Sequence, residues 1–341
     1  MTSGKLAAKR FFTFGYQFIF IFSFMDILKQ LKALADATRL RLYVVLLKHE
    51  LNVNELVQVM DMGQSRISRH LKVLTECSLL SSRRDGFFVY YRAPLSRDNQ
   101  DLVQYLNRAV RTGSVYEGDL LRAEEVLEGR KQQTKLFFNR VAAHWQRLKN
   151  DILGDFDLSA RVLEATPETG NLADLGCGTG ELLPRFADKC RRVIGVDSSP
   201  EMLARARELV SGEGRNIELR LGELEHLPLG NGEVEVAVLN MVLHHVSLPA
   251  AGIQEAARVL QNQGLLLITD FAKHDQESIR KAYGGVWLGF SRQEMLHWLE
   301  DAGFDVERVQ EYPVNHGLMI HVYIARKFET GRRNNGQYTN V

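Results

Sequence analysis

The chain is short of cysteine, of net charge and of long apolar runs, and each shortage removes a class of explanation. Its three cysteines, Cys77, Cys177 and Cys190, contain no Cys-x-x-Cys pair and cannot make an even disulfide framework. A reduced, cytoplasmic protein is the simplest expectation. Forty-three basic residues stand against 42 acidic ones, a net charge of +1, so a nucleic-acid partner would have to meet a local basic patch. What is present is ordinary: 45% hydrophobic and 25% charged residues suit a soluble globular protein. At 341 residues the length favours two domains.

An uncharged run does occur near the start. Lys5, Lys9 and Arg10 precede "FFTFGYQFIFIFSF", fourteen residues without a charge. The pattern resembles a secretory signal, but no small-residue cleavage site follows it. It also falls short of the ~20 apolar residues a spanning helix needs, so no membrane partner is expected. The expectation is that residues 1–25 are a leader arising from start-site choice and that translation begins at Met25. Organised pattern starts there, with "MDILKQLKALAD".

From Asp26 the pattern is helical, with Ile27, Leu28, Leu31 and Leu34 at three- and four-residue spacing. Asp36 is placed to cap the next helix, "ATRLRLYVVLLKHE". A short helix begins near Asn52, Gly63 breaks the chain in a turn, and a second short helix follows in "QSRISRHLKVLTECS". Two short helices joined by a glycine turn are the signature of a helix-turn-helix. In the second helix Ile67, Leu71 and Leu74 should face the core. Gln64, Ser65, Arg66, Ser68 and Arg69 fall on the other side near its start, where side chains reach base edges in a major groove. "LLSSRRDGFFVYYRA" alternates like a hairpin, with Asp85-Gly86 as its turn and Arg83 and Arg84 beside it to grip phosphate. Between Gly63 and Arg92 six Lys/Arg oppose Glu76 and Asp85, a local net of +4. A near-neutral chain thus concentrates positive charge where the groove reader should be.

Residues 26–95 are expected to form one domain, and residues 26–93 resemble the winged helix-turn-helix of the ArsR/SmtB family, above all in "LADATRLRLY" and "SRISRHLKVL". The resemblance implies double-stranded operator DNA as partner and a homodimer. Many members sense metals through a Cys-x-Cys pair in the helix before the reading helix. Here that helix reads "VNELVQVMD", so no metal is expected and the signal must come from elsewhere. Residues 96–135 read as a helical linker. Leu102, Tyr105, Leu106 and Ala109 either pair across a dimer or belong to a solvated interdomain helix.

Residues 136–328 alternate strands and helices, the pattern of a parallel sheet covered on both faces, with ligands at the carboxyl ends of its strands. Residues 329–341 form a polar tail. In "LADLGCGTG", Gly176 and Gly178 let backbone approach a ligand and Gly180 permits close packing. The spacing is tighter than the GxGxxG of dinucleotide sites. Asp174 two residues before Gly176 suits a cationic amino-acid group better than a pyrophosphate, and Asp197, 23 residues on, suits ribose hydroxyls.

"ADLGCGTGELL", "VIGVDSSPEML", "LGELEHLPL" and "VLNMVLHHV" together resemble the class I S-adenosylmethionine-dependent methyltransferases of UbiE-like type, an α/β Rossmann-like fold. The resemblance implies S-adenosylmethionine or S-adenosylhomocysteine as ligand. Asp174, Gly176 and Gly178 would meet its methionine part and Asp197 its ribose. Ser198, Met202, Glu223 and Leu224 would line the adenine pocket, though Met202 reads equally well as core. Asn240 and Met241 would close the site near the sulfur. His245 is the candidate base, with a structural histidine as the alternative reading. "DFAKHDQESIRKAYGGVWLGFS" is placed as a lid or acceptor wall. Cys177 and Cys190 are too few for arsenic methylation, and the NPPY-like motif of base methyltransferases is missing.

The union of these halves resembles bacterial fusions of an ArsR-type reader with a methyltransferase-fold domain, some of which repress methionine-cycle genes in response to S-adenosylhomocysteine. That implies a transcriptional regulator. The alternative is an active small-molecule methyltransferase that carries an autoregulatory DNA-binding domain.

Overall fold

The computed structural model describes residues 27–94, 100–110, 114–211 and 216–328. The leader expected at 1–25 and the tail expected at 329–341 lie outside the described residues. The chain forms two compact units, one ending at Glu128 and the other starting at Gly129.

The front unit begins with a helical segment, α1, over residues 27–34. Then come α2 (Ala37–Lys48), β1 (Leu51–Asn52), α3 (Val53–Met60), α4 (Gln64–Glu76), β2 (Ser81–Asp85), β3 (Phe88–Arg92) and α5 (Gln100–Val110). Helix α6 (Ser114–Val141) starts in this unit and continues past its boundary. Asp36 caps α2 by accepting from the Arg39 amide at 2.9 Å. Asn52 caps α3 in a reciprocal capping box with Glu55. Side chains of α2, α3 and α4 close a core that includes Tyr43, Leu46, Leu56, Ile67, Leu71 and Leu74. The order β1-β3-β2 makes a small antiparallel sheet whose last two strands are the wing.

Two turns differ from their sequence reading. Gly63 has φ −64° and extends as the residue before α4, while Asp61 adopts the left-handed conformation that ends α3. An aspartate tolerates that conformation better than most residues, so the turn did not need its glycine there. In the wing, Asp85 pairs with Phe88, so the two-residue turn is Gly86-Phe87 and not Asp85-Gly86. Gly86 supplies the positive φ of 60° that such turns require. Asp85 is buried, and Phe87 stands out at the tip, 77% exposed.

The rear unit takes the second half of α6, then α7 (Trp145–Leu153), α8 (Leu158–Ala165), β4 (Thr169–Leu175), α9 (Leu183–Ala187), β5 (Cys190–Asp197) and α10 (Pro200–Val210). It continues through β6 (Ile217–Leu221), β7 (Val234–Asn240), α11 (Pro249–Val259), β8 (Leu260–Phe271), α12 (Glu277–Tyr283), α13 (Arg292–Asp301), β9 (Phe304–Pro313) and β10 (Met319–Lys327). Seven strands lie in the order β6-β5-β4-β7-β8-β10-β9. The first five are parallel, and β10 runs antiparallel to both β8 and β9. The sheet is therefore mixed at one end, where the sequence pattern suggested a parallel sheet. Its central strands are buried almost throughout, as a sheet covered on both faces demands. Strand order reverses between β4 and β7, and a crevice opens beyond the carboxyl ends of strands at such a point.

Candidate functional site

In the front unit the candidate site is a surface. Ile67, Leu71 and Leu74 are fully buried, so the 3.6-residue period turns Gln64, Ser65, Arg66, Ser68 and Arg69 outward, and all five are exposed. The first turn of α4 holds no acidic residue, which leaves the N-terminal end of the helix open to anions. The wing divides its two arginines. Arg84 is exposed, its Nε donating to the Gly86 carbonyl at 3.1 Å. Arg83 donates to Glu50 at 2.6 Å and lies 5.8 Å from the Tyr90 ring centroid.

Other contacts of this unit gave no signal in the sequence. Asp119 of α6 is buried and accepts from Arg41 through both oxygens, at 2.6 and 2.7 Å, and from Arg122. Arg122 also donates to the Val59 carbonyl at 2.6 Å. These bonds, with Leu120, Ala123 and Leu127, fasten the first half of α6 to the front core. Leu106 of α5 turns into the same core, whereas Tyr105 is 63% exposed.

In the rear unit the candidate site is a cavity at the switch point. It is lined by Asp174, Gly176, Gly178, Asp197, Ser198, Met202, Glu223, Leu224, Asn240, Met241 and His245, whereas Gly180 is not among its walls. Asp174, the penultimate residue of β4, is 2% exposed, and among the described residues its Oδ1 has no hydrogen-bond partner. Burial, together with the Asp197 charge, pushes its carboxyl up to about 7. An orphaned buried carboxylate is costly and calls for a donor from a ligand. Asp197 ends β5 and accepts from the Gly178 amide at 2.8 Å and the Ser199 amide at 2.9 Å. It therefore shapes the glycine loop from below, although burial still raises its own pKa.

The loop needs its first glycine on two counts. Gly176 has φ +85°, and a Cβ there would lie 2.6 Å from Val242 Cγ2. The close approach expected of the loop is thus partly to the protein's own β7 end. Met241, the residue after β7, has φ 58°, a strained conformation for a methionine. Its amide donates to the Thr269 carbonyl at 2.9 Å, and Thr269 Oγ1 donates to Asn240 Oδ1 at 2.7 Å, which holds this corner in place.

Beyond these residues the cavity continues along Phe138, Trp145, Phe271, Tyr283, His244 and His245. His245 Nδ1 donates to the Gly284 carbonyl at 3.1 Å, which fixes the tautomer and leaves Nε2 an acceptor. Burial holds its pKa well below the ordinary value, so the ring is neutral. His244 Nδ1 lies 2.8 Å from Oδ1 of buried Asp270. The 284–287 segment is bonded back to this turn, because the Val286 and Trp287 amides both donate to the His244 carbonyl. Tyr283 donates to Asp151, and its phenol is pushed up to about 12, first by burial. The expected lid segment thus supplies a wall through Tyr283. Asp270 was missed, and its signal was a carboxylate inside the apolar run "LLLITDF".

A seven-stranded sheet with an antiparallel end, an acidic residue closing each of two adjacent strands and a glycine loop between them define a class I methyltransferase fold. Comparison with known proteins agrees. Residues 173–268 match the family described as "Methyltransferase domain", and residues 36–82 match "Bacterial regulatory protein, arsR family". The chain is 34% identical over 183 residues to the carboxy-S-adenosyl-L-methionine synthase of Dichelobacter nodosus, across 47% of this chain and 76% of that one. It is 39% identical over 110 residues to an uncharacterized 37.1 kDa protein in transposon TN4556 of Streptomyces fradiae, and it spans only 31% of that protein's length. N-methyltransferase NodS from Bradyrhizobium japonicum WM9, solved with S-adenosyl-l-homocysteine, shares the fold at a TM-score of 0.50 and 16% identity, over 58% of this chain and 100% of that one. The chain belongs to the class I methyltransferase-fold family, and it carries that domain joined to an ArsR-like helix-turn-helix domain.

No helix among the described residues is long and apolar enough to cross a membrane. Among them no group of three or more His, Cys, Asp or Glu is placed to hold a metal ion.

Proposed function

We propose that this protein is a cytoplasmic, dimeric transcriptional regulator of ArsR type whose rear domain binds S-adenosylmethionine or S-adenosylhomocysteine. Its target genes, by the resemblance noted above, are those of the methionine cycle. The residues fit such a ligand. The unpartnered Oδ1 of Asp174 is an acceptor for the ammonium of a methionine part, and Asp197 is the acceptor for ribose hydroxyls. Ser198, Met202, Glu223, Leu224, Asn240 and Met241 line the same cavity, and in this reading the first four would take the adenine and the last two the sulfur end. On the front unit, Gln64, Ser65, Arg66, Ser68 and Arg69 read operator DNA, and Arg84 meets phosphate.

The observation that carries the regulatory reading is helix α6. One uninterrupted helix supplies core side chains to the reading unit and wall side chains, Lys131 and Phe138 among them, to the ligand cavity. A ligand shifts DNA affinity only if it binds the DNA-bound and free states unequally, and the effect is reciprocal. Titration of operator DNA with saturating S-adenosylhomocysteine, saturating S-adenosylmethionine and neither tests it. A change of about 5- to 150-fold, with the product the stronger effector, is expected. Identical affinity in all three conditions overturns the sensor reading.

A specific observation favours the second reading, an active small-molecule methyltransferase. The cavity extends past the cofactor residues to aromatic walls and a neutral His245 with Nε2 left to accept a proton. S-adenosylmethionine, when bound, supplies an electrophilic methyl group on a sulfonium. His245 would then deprotonate an acceptor hydroxyl or amine. Methyl transfer to candidate acceptors, abolished by His245→Ala, tests this reading. The absence of any such transfer overturns it.

A further inference from the structure

Among the cavity's walls, one contact joins the long helix to the base-binding loop. Lys131, on α6, places its Nζ 2.9 Å from Glu223 Oε2 and 3.7 Å from Glu225 Oε1. Both acids sit in the "LGELEHLPL" segment after β6. The two halves of the contact differ in shelter: Glu223, which takes the short bond, is 46% exposed, whereas Lys131 and Glu225 are 21% and 7% exposed, so solvent screens the Glu225 contact less. One ammonium faces two carboxylates, so the cluster keeps an unbalanced negative charge. Glu225 Oε1 is buried without a hydrogen-bond partner. Among the described residues the Lys131 ammonium at 3.7 Å is its charge partner, too far for a hydrogen bond, and Glu225 lines the cavity.

We propose that Lys131 and the Glu223/Glu225 pair form a ligand-sensitive tether, in which the exocyclic amine of a bound adenine competes with the lysine ammonium for the same carboxylate oxygens and so loosens α6 from the loop. This rests on the proposed S-adenosyl ligand and names how its site would regulate. The competition is one of position and not of number: an adenine donor aimed at Glu223 Oε2 meets the oxygen that already accepts from Lys131. An adenine seated beside Glu223 and Leu224 brings an N–H₂ donor to a loop whose carboxylates already hold the ammonium. The first half of α6 is fixed in the front unit by Asp119, Arg41, Leu120, Ala123 and Leu127. A change in how its second half is held is therefore a change delivered to the reading unit's own core helix.

The test uses the full chain, with operator affinity and calorimetry against S-adenosylhomocysteine. Lys131→Met removes the ammonium and keeps the apolar stem. Without ligand it should show the operator affinity of ligand-saturated wild type, and its response to ligand should fall from the ~5–150-fold allosteric range to within about twofold. It should also bind S-adenosylhomocysteine more tightly than wild type, because no ammonium has to be displaced. Lys131→Arg, which keeps the charge, should retain the response. A Met variant that responds as wild type does overturns the tether and leaves the sensor reading standing. An Arg variant as unresponsive as the Met variant overturns it too. Wild type that never responds to ligand overturns the sensor reading itself, and the tether's regulatory role falls with it.

Discussion

The outward face of α4 and the cavity at the end of β4 are the two proposed recognition sites, and they are built by opposite rules. On α4 the candidate side chains are those the core leaves out: Ile67, Leu71 and Leu74 are spent on packing, and Gln64, Arg66 and Arg69 remain in water. At the cavity the functional side chains are those the core keeps in. Asp174 is buried, and among the described residues one of its oxygens is left without a hydrogen-bond partner. An exposed site costs the fold little and is advertised by charge. A buried site is held at a cost and is advertised by what it fails to satisfy. Substitutions on α4 should accordingly cost binding and spare stability, while substitutions at the cavity should change both.

The largest effect is expected where exposure is greatest. Replacing Arg66 and Arg69 by Ala removes two charged contacts, each worth about 1.5–3 kcal/mol, so operator affinity should fall roughly a hundredfold or more. Thermal stability and S-adenosylhomocysteine affinity should not change, because neither side chain packs in the core. Wild-type binding should weaken steeply with salt as phosphate contacts release counterions. Gel-shift titrations at several salt concentrations measure both effects. A double variant that still shifts the operator would break the assignment of α4.

Next comes Asp197. Asp197→Ala should weaken S-adenosylhomocysteine binding by about 1.5–3 kcal/mol, the usual value of hydrogen bonds to a charged group. Asp197 also accepts from the Gly178 and Ser199 amides. The variant should therefore lose stability as well, which sets it apart from the α4 double variant. Calorimetry with a parallel thermal melt reads both. Unchanged affinity would remove the ribose assignment.

Asp174 extends the comparison to pH. Its carboxyl is pushed up from 3.8 to about 7 by burial and by Asp197. A raised carboxyl pKa means the folded state binds more protons than the unfolded one between those values, so this group makes stability fall as pH rises from about 4 to 7. Ligand affinity should run the other way. A cationic ligand group favours the ionised form, so affinity should climb between pH 5.5 and 7 and flatten above, with proton release on binding. Asp174→Asn should flatten both profiles and weaken binding. A pH-independent affinity in wild type would show that Asp174 does not meet a cationic group.

The contrast also explains what the sequence could reveal. The apolar period of α4, the cap at Asp36, the helix start near Asn52, and the glycine loop with its two flanking acids are local patterns, and each was legible. Partners distant in the chain were not. Glu50 takes Arg83 from across 33 residues, Asp119 takes Arg41 from across 78, and Lys131 meets Glu223 from across 92. No periodicity encodes such pairs. The antiparallel β10 and β9 escaped notice for a related reason. Their register against β8 is set by tertiary packing, while the preceding repeat of strand and helix pointed only to parallel neighbours.

The smallest effect expected is at Gly129, which opens the rear unit inside α6. A Cβ built there would meet nothing within 4 Å, and its φ is not positive, so neither packing nor backbone geometry explains the glycine. Glycine in a helix interior costs about 1 kcal/mol against alanine. Gly129→Ala should therefore stabilise the protein by roughly 0.5–1 kcal/mol in denaturant unfolding. It should leave ligand affinity at Asp174 and Asp197 unchanged, since a stiffer α6 adds no contact to either carboxylate. Should the response of operator affinity to S-adenosylhomocysteine shrink in this variant while both individual affinities hold, compliance at Gly129 is part of the link between the exposed site and the buried one. If the response is intact, α6 transmits as a plain helix and the glycine has no part in it.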